Sequence, residues 1–166
     1  MSFNILKKYN QLLDIRGLSA SSRTGSLLQI FDRDFVSGSR PIFNNKNIEP
    51  VPKVGQVTME VLFHHLTTTI VDKETRKREI DLYRAERLHW ITHHFKNYKN
   101  LNFDVFSTKD KDGIRTYIYD HNEKYVIVLE PFRNRNAYYL LTAYHLTGRN
   151  KNKIKKKMKR RLDQLH

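Results

Sequence analysis

The sequence predicts an α+β protein in which a helical N-terminal half is followed by an antiparallel four-stranded meander and a basic C-terminal helix. Three observations lead to this fold class. Apolar residues recur at helical spacing up to about residue 98, and from residue 101 the chain divides into short runs rich in Tyr, Val, Ile and Thr. The last 20 residues are dominated by lysine and arginine. Helices that precede an antiparallel sheet in the chain are typical of the α+β class.

Residues 1–56 are predicted to form a helical and extended N-terminal subdomain. Residues 3–18 place their apolar side chains on one side of a helix, and residues 27–35 are expected to form a second, short helix. The serine-rich residues 19–26 have the composition of a loop. Residues 37–56 contain three prolines, so this segment is expected to be an extended connection rather than a helix.

Residues 57–148 are predicted to be a nuclease-like α+β core. Helical spacing covers residues 57–70, and a longer amphipathic helix is expected at residues 73–98 with Asp72 as its N-cap. Four strands follow, at residues 101–107, 114–120, 125–130 and 137–146. The sequences KDKDG (residues 109–113) and HNEK (residues 121–124) are typical of hairpin turns, which predicts antiparallel pairing.

Residues 149–166 are predicted to form a basic tail helix. The formal net charge is +14, and residues 147–166 contribute +8 of it through six lysines and three arginines against one aspartate. A segment this basic is expected to bind a polyanion, because each phosphate that it neutralises releases condensed counterions. Four apolar residues share one side of the tail helix and could dock either on the protein body or on lipid, namely Ile154, Met158, Leu162 and Leu165.

The sequence also predicts where the protein resides. No apolar stretch reaches the roughly 20 residues that span a bilayer, and the N-terminus has no signal-peptide pattern. The absence of cysteine excludes disulfides, thiolate nucleophiles and Cys-based zinc sites. We therefore predict a soluble cytoplasmic protein that binds no membrane and has RNA as its polyanionic partner.

Motifs of nucleotide-dependent and metal-dependent enzymes are missing from the sequence. It contains no GxxxxGK[ST], GxGxxG, GxSxG or HExxH, and its acidic residues do not cluster as a two-magnesium site requires. We therefore predict no metal and no cofactor. RNA can be cleaved without either, because its own 2′-hydroxyl is the nucleophile and the protein need only supply acid–base and cationic side chains.

The helix predicted at residues 73–98 carries the first candidate site residues. Arg84 falls within its apolar face, where a charge is unfavourable unless it is paired or meets an anionic ligand. Beside it, Tyr83, Arg87, Trp90 and His94 form a stripe that can hold a phosphate and stack a base. The structural alternative is that Arg84 extends from the edge of the core and that Trp90 packs against the sheet.

The strand predicted at residues 137–146 and one histidine supply further candidates. Strand alternation places Tyr138, Leu140, Thr142 and Tyr144 on one face, which either lines a cleft or is a solvated outer face. His65 lies at the edge of the helix predicted at residues 57–70, and it is either a general base or an ordinary histidine at the edge of the core.

Four segments carry a resemblance to a known family when they are read in order. They are RAERLHWI (residues 84–91), GIRTYIYD (residues 113–120), YVIVLE (residues 125–130) and YYLLTAYHLTG (residues 138–148). In these strings the chain resembles the phage-associated barnase–EndoU–colicin–RelE-like (BECR fold) nucleases. The resemblance implies a metal-independent ribonuclease with helices before a curved antiparallel sheet. The catalytic residues that it implies are Arg84, Arg87, Arg115, Thr142 and Tyr144, with His65 as the candidate general base.

The leading hypothesis is an endoribonuclease of toxin type, a phage or toxin–antitoxin protein that cleaves RNA by attack of the 2′-hydroxyl. Its positive charge predicts an acidic antitoxin or immunity protein as a partner. The main alternative is a non-catalytic RNA- or ribosome-binding protein, and a DNA-binding regulator ranks third. The residues predicted to contact the nucleic acid are Trp90, His94, Arg133, Arg135, Lys151, Lys155, Lys156, Lys159 and Arg160.

Overall fold

A computed structural model describes residues 3–166, and its main feature is a six-stranded mixed sheet that curls into a half-barrel. In chain order the strands are β1 (Ile42–Phe43), β2 (Lys46–Pro50), β3 (Thr68–Ile70), β4 (Arg78–Ile80), β5 (Phe103–Asp110), β6 (Gly113–Asp120), β7 (Tyr125–Pro131) and β8 (Ala137–His145). The order across the sheet is β1-β2-β8-β7-β6-β5, and β3 and β4 form a separate hairpin.

Helices are spread along the whole chain. They are α1 (Ala20–Phe31), α2 (Thr58–Thr67), α3 (Leu82–Ala85), α4 (Trp90–Asn97) and α5 (Asn150–Lys159), with a 3₁₀ turn at Phe3–Leu6 and a π-helical turn at Asp32–Val36. The prediction of a helical half followed by a four-stranded antiparallel meander is therefore wrong. The overlooked β1 and β2 have two and five residues, which is too short for a clear alternating pattern.

The pairing of β2 with β8 joins the N-terminal segment to the C-terminal strands. β2 runs parallel to β8, from Asn47 beside Ala137 to Pro50 beside Leu140, whereas the other pairs of this sheet are antiparallel. The buried Ile15 and Phe31 lie in the same apolar cluster as Ile118 of β6. Residues from both halves of the chain thus share one core.

Local capping explains two errors in the N-terminal region. Residues 3–18 form only a 3₁₀ turn and irregular backbone instead of a helix, and the supposed loop at residues 19–26 is largely α1. The Ser19 hydroxyl accepts a hydrogen bond from the backbone N–H of Ser22 at 3.2 Å, so a serine that suggested a loop is the N-cap of a helix.

The long helix predicted at residues 73–98 is also wrong. Its first part is the β3–β4 hairpin, where Asp72 accepts a hydrogen bond from the Glu74 N–H at 2.9 Å and Arg76 adopts a positive φ of 61°. The rest divides into α3, which Asp81 caps, and α4. Asp72 therefore initiates a turn, the other local structure that an aspartate favours.

A β-bulge changes which residues share a face of β8. The four C-terminal strands and both of their hairpin turns are present as predicted, but the register shifts opposite Val128 and Leu129 and leaves Leu141 as an extra residue. Before the bulge, Tyr138 and Leu140 point to the helix-covered inner face; after it, Tyr144 points to the outer face. The prediction that these β8 residues share one face is therefore wrong, because they point to both faces of the sheet.

Helix α5 docks on the outer face of the sheet. Ile154 is buried there and Met158 packs beside it, against a cluster that includes Tyr117 and Val126. The apolar stripe of the tail thus contacts the protein body, and Leu162 donates its N–H to Ser107 O on the edge strand β5 at 2.8 Å. None of the helices within residues 3–166 is long and apolar enough to cross a membrane.

A buried polar network fixes the N-terminal segment to helix α4 and to the end of β6. His94 Nε2 lies 2.9 Å from Asp120 Oδ2, and Tyr9 donates its hydroxyl hydrogen to the same oxygen. Asp120 Oδ1 accepts the N–H groups of Asn122 and Glu123, both at 3.0 Å. Burial acts to raise the pKa of Asp120, but hydrogen bonds from His94, Tyr9 and the Glu123 backbone outweigh it and lower that pKa.

Replacing Asp120 by Ala should destabilise the protein by about 3–5 kcal/mol, because several buried groups lose their acceptor together. Equilibrium urea unfolding measures this change. The matched control is Asp104→Ala, since Asp104 pairs with His121 in a half-exposed position and should cost at most about 1 kcal/mol. Equal losses in the two variants would contradict the stabilising role of the buried network.

The same network gives a pH dependence whose sign is fixed. The pKa of Asp120 is lower in the folded chain than in the unfolded chain, so its contribution is fully present above the ordinary Asp pKa of about 3.9 and is lost as the pH falls further. The Asp120→Asn variant should therefore lose less unfolding free energy than the wild type between about pH 5 and pH 2. Parallel pH curves for the two proteins would contradict this.

Candidate functional site

The candidate site is a cleft at the open edge of β8. Pairing with β2 ends at Leu140, so on this side residues 141–145 face helices α2 and α3 instead of a strand. The cleft has a volume of about 500 Å³. It is lined by Thr69, Asp81, Tyr83, Arg84, Tyr144, His145, Thr147 and Asn150.

Arg84 is the cation of the cleft. Its Nη1 donates to the carbonyls of His65 at 2.9 Å and Thr68 at 3.1 Å, which holds the guanidinium between α2 and β3. The Asp81 carboxylate lies 3.9 Å from its Nε. Burial lowers the pKa of Arg84, although Asp81 acts to raise it. An arginine so placed stays protonated, and an added anion would stabilise it.

Two residues of this cleft carry a buried atom that lacks a hydrogen-bond partner. Within residues 3–166, five buried side-chain atoms lack such a partner, namely Arg84 Nε, Arg87 Nε, His89 Nδ1, Thr142 Oγ1 and His145 Nδ1. Of these residues, Arg84 and His145 line the cleft. Each such atom costs about 1–3 kcal/mol. Two such atoms on residues of one cleft are what a site completed by a polar ligand would show.

His145 and Tyr83 face each other across the cleft. Their ring centroids are 6.3 Å apart, and the ring planes are 14° from parallel. Burial lowers the pKa of His145, and the positive charge of Arg87 lowers it further, so the imidazole is neutral at pH 7. Tyr144, the residue before His145, lies on the other face of the strand, and burial raises the pKa of its hydroxyl. The cleft thus combines an imidazole base, a phenolic hydroxyl and a guanidinium.

The catalytic residues predicted from sequence come together only in part. Arg84 and Tyr144 line the cleft. Arg87 is not part of the cleft lining, and its Nη1 donates to Tyr83 O at 2.7 Å and to Glu86 Oε1 at 2.9 Å. Thr142 precedes Tyr144 by two residues on the same strand and has a buried hydroxyl.

Like Arg87 and Thr142, the predicted catalytic residues His65 and Arg115 lie outside the cleft lining. His65 contributes its backbone carbonyl to Arg84, and its side chain is half-buried near Arg78 and Lys53. Burial lowers the pKa of His65, and those two cations lower it further. Arg115 forms an ion pair with Glu130 at 3.1 Å across β6 and β7. The structure therefore does not group Arg115 with Arg84.

The predicted nucleic-acid contacts divide into buried and exposed residues. Trp90 and His94 are 1% and 0% exposed, so they pack in the core and cannot touch a nucleic acid in this fold. Arg133 is exposed, and Arg135 is also exposed but pairs with Glu49 at 3.0 Å. The five predicted contact residues on and after α5 are all exposed, namely Lys151, Lys155, Lys156, Lys159 and Arg160.

Sequence reasoning assigned no role to His145, Thr147 or Asn150. His145 directly follows the TAY string, but alternation placed it on the face opposite Tyr144, and only the open edge of β8 lets both residues reach one cleft. Asn150 is the first residue of α5, so the cleft leads directly to the basic helix.

No family model matches the chain, and neither the curated proteins nor the solved structures that were searched contain a match. Within residues 3–166, no three His, Asp or Glu side chains are grouped so as to hold a metal ion. The cleft and the charge of the surface around it are therefore the features that indicate a function.

The Arg87→Gln variant should raise the pKa of His145 towards its ordinary value of about 6.5, because the variant removes a nearby positive charge. NMR titration of the histidine ring signals measures this shift. His93 is the internal control, since its lowered pKa results from burial and from charges other than Arg87. An unchanged His145 midpoint in a folded variant would contradict the assigned cause.

Proposed function

We propose that the protein is a cytoplasmic, metal-independent endoribonuclease of toxin type whose active site is the cleft at the open edge of β8. One observation carries the proposal. Arg84 Nε and His145 Nδ1, two buried atoms without a hydrogen-bond partner, belong to residues that line one cleft together with Asn150, the first residue of the basic helix α5. An RNA phosphodiester would suit this pair, since its oxygens accept from guanidinium donors and the neighbouring 2′-hydroxyl can donate to a neutral imidazole.

The arginines would bind the phosphate and stabilise its developing charge. Arg84 is fixed by two carbonyls and keeps its Nε without a partner, so the guanidinium is oriented before any ligand arrives. Preorganised cations at a developing oxyanion contribute more than flexible surface cations, because they need no reorganisation during the reaction. Arg87 adds a second positive charge, which is close enough to His145 to lower the pKa of that imidazole.

His145 would serve as the general base towards the 2′-hydroxyl. Its lowered pKa keeps it neutral near pH 7, and Nδ1 is buried without a partner. The Tyr144 hydroxyl would be the proton donor of the cleft, and its raised pKa keeps it protonated. Acid–base help of this kind contributes roughly 10²–10⁴-fold to the rate.

The RNA strand would leave the cleft along α5. Lys151, Lys155 and Lys159 recur every four residues on its exposed side, which makes one basic stripe that begins beside Asn150. The same stripe would serve a non-catalytic RNA-binding protein, so only cleavage distinguishes the two functions. The stripe would also be the surface that an acidic antitoxin or immunity protein covers.

Incubation of labelled RNA with the protein in EDTA should yield fragments with 2′,3′-cyclic phosphate ends. The His145→Ala and Arg84→Gln variants should lower the cleavage rate by at least about 100-fold. Arg40→Gln is a charge-matched control, because Arg40 is exposed and remote in the chain from the cleft residues. If RNA binds but stays intact at high protein concentration, the ribonuclease hypothesis is wrong and the protein is a non-catalytic RNA-binding protein.

Replacing Lys151, Lys155 and Lys159 together by Gln should reduce the salt dependence of RNA binding. Each single-stranded phosphate contact contributes about 0.7 to the slope of log affinity against log salt, so the slope should fall by about 2. Fluorescence anisotropy at several salt concentrations measures it. The control replaces three exposed lysines on other elements, Lys73, Lys96 and Lys99. If the slope falls equally in both triple variants, RNA is attracted by the overall positive charge and not by a defined stripe on α5.

A further inference from the structure

Tyr83 is an exposed aromatic side chain that the structure holds in place. More than half of its surface, 55%, is exposed, although it lines the cleft beside Arg84. The Arg16 guanidinium lies over the ring, 5.0 Å from the centroid. Cation–π contact of this kind restricts the ring without burying it.

A buried carboxylate holds Arg16 in that position. Arg16 Nε donates to Glu86 Oε2 at 2.9 Å, and its Nη2 donates to Glu86 Oε1 at 3.1 Å. The Glu86 side chain is only 3% exposed. A two-point ion pair against a buried carboxylate is geometrically specific, so the cation that supports Tyr83 is itself fixed.

The position of the ring relative to the reactive groups suggests its ligand. The Tyr83 plane is nearly parallel to the His145 ring, and Arg84 is the next residue in the chain. A planar group stacked on Tyr83 therefore lies beside both the imidazole and the phosphate-binding guanidinium. In a nucleic acid, the planar group attached next to a phosphate is a nucleobase.

We propose that Tyr83 is the stacking residue of a nucleobase subsite, and that the cleft therefore takes single-stranded RNA. This inference rests on the proposed function, because it needs RNA as the ligand. A base within a duplex is stacked on both sides and cannot present its face to a side chain, so the bound nucleotide must be unpaired. Arg16 is a positioning residue, which acts on the base only through the tyrosine ring.

The test uses the full chain and a 2′-O-methylated oligonucleotide, which lacks the nucleophilic hydroxyl and stays intact. One of its bases is 2-aminopurine, whose fluorescence is quenched by stacking. Wild-type protein should bind the single strand more tightly than the same sequence in a duplex and should quench the fluorescence. Tyr83→Ala should weaken single-strand binding by roughly 5- to 150-fold, the range that one base–aromatic stack spans, and should abolish the quenching by the protein.

Two variants separate stacking from simple loss of fold. Tyr83→Phe keeps the ring and should retain both affinity and quenching, whereas Arg16→Gln should reduce the quenching and leave the cleft charge of Arg84 in place. Wild-type affinity and quenching in Tyr83→Ala would overturn the subsite, whatever the cleavage assay gives. Quenching by a wild type that leaves RNA uncut would support the subsite and overturn the ribonuclease proposal alone.

Discussion

The parallel pairing of β2 with β8 is the constraint on which the site depends. It brings a strand from the proline-containing N-terminal segment beside the last strand of the sheet, and it stops at Pro50. Two residues later Pro52 again removes a backbone donor. Because no strand continues the pairing, residues 141–145 present an edge on which α2, α3 and the start of α5 can converge. A longer β2 would close the cleft.

The bulge in β8 acts on the same edge. It rotates the strand so that Tyr138 and Leu140 fill the inner core, while Thr142 and Tyr144 turn towards the outer face. The next side chain, that of His145, points to the inner face. Strand β8 therefore places the His145 imidazole and the Tyr144 phenol on opposite faces of its open edge. Helix α3 places Arg84 beside them.

One histidine stabilises the fold and a different histidine lines the cleft. His94 and Asp120 lie in the core with Tyr9, satisfy one another and fix the N-terminal segment. His145 retains a buried nitrogen without a partner. The contrast has a physical basis, since a satisfied buried network rigidifies a fold whereas an unsatisfied one costs free energy until a ligand binds. Sequence alone could not tell these histidines apart, because the partner of His94 is Asp120, which is distant from it in the chain.

Composition and residue spacing by themselves determined the basic character and the four C-terminal strands with their hairpin turns, and helical spacing singled out Arg84 and Arg87, whereas Thr142 and Tyr144 were predicted as catalytic from the family resemblance. These features follow from neighbouring residues, whose spacing the sequence shows directly. Only the tertiary structure decided the parallel β2–β8 pair, the bulge, the burial of Trp90 and His94 and the separation of Arg115. Those depend on contacts between residues far apart in the chain, and local periodicity carries no information about them.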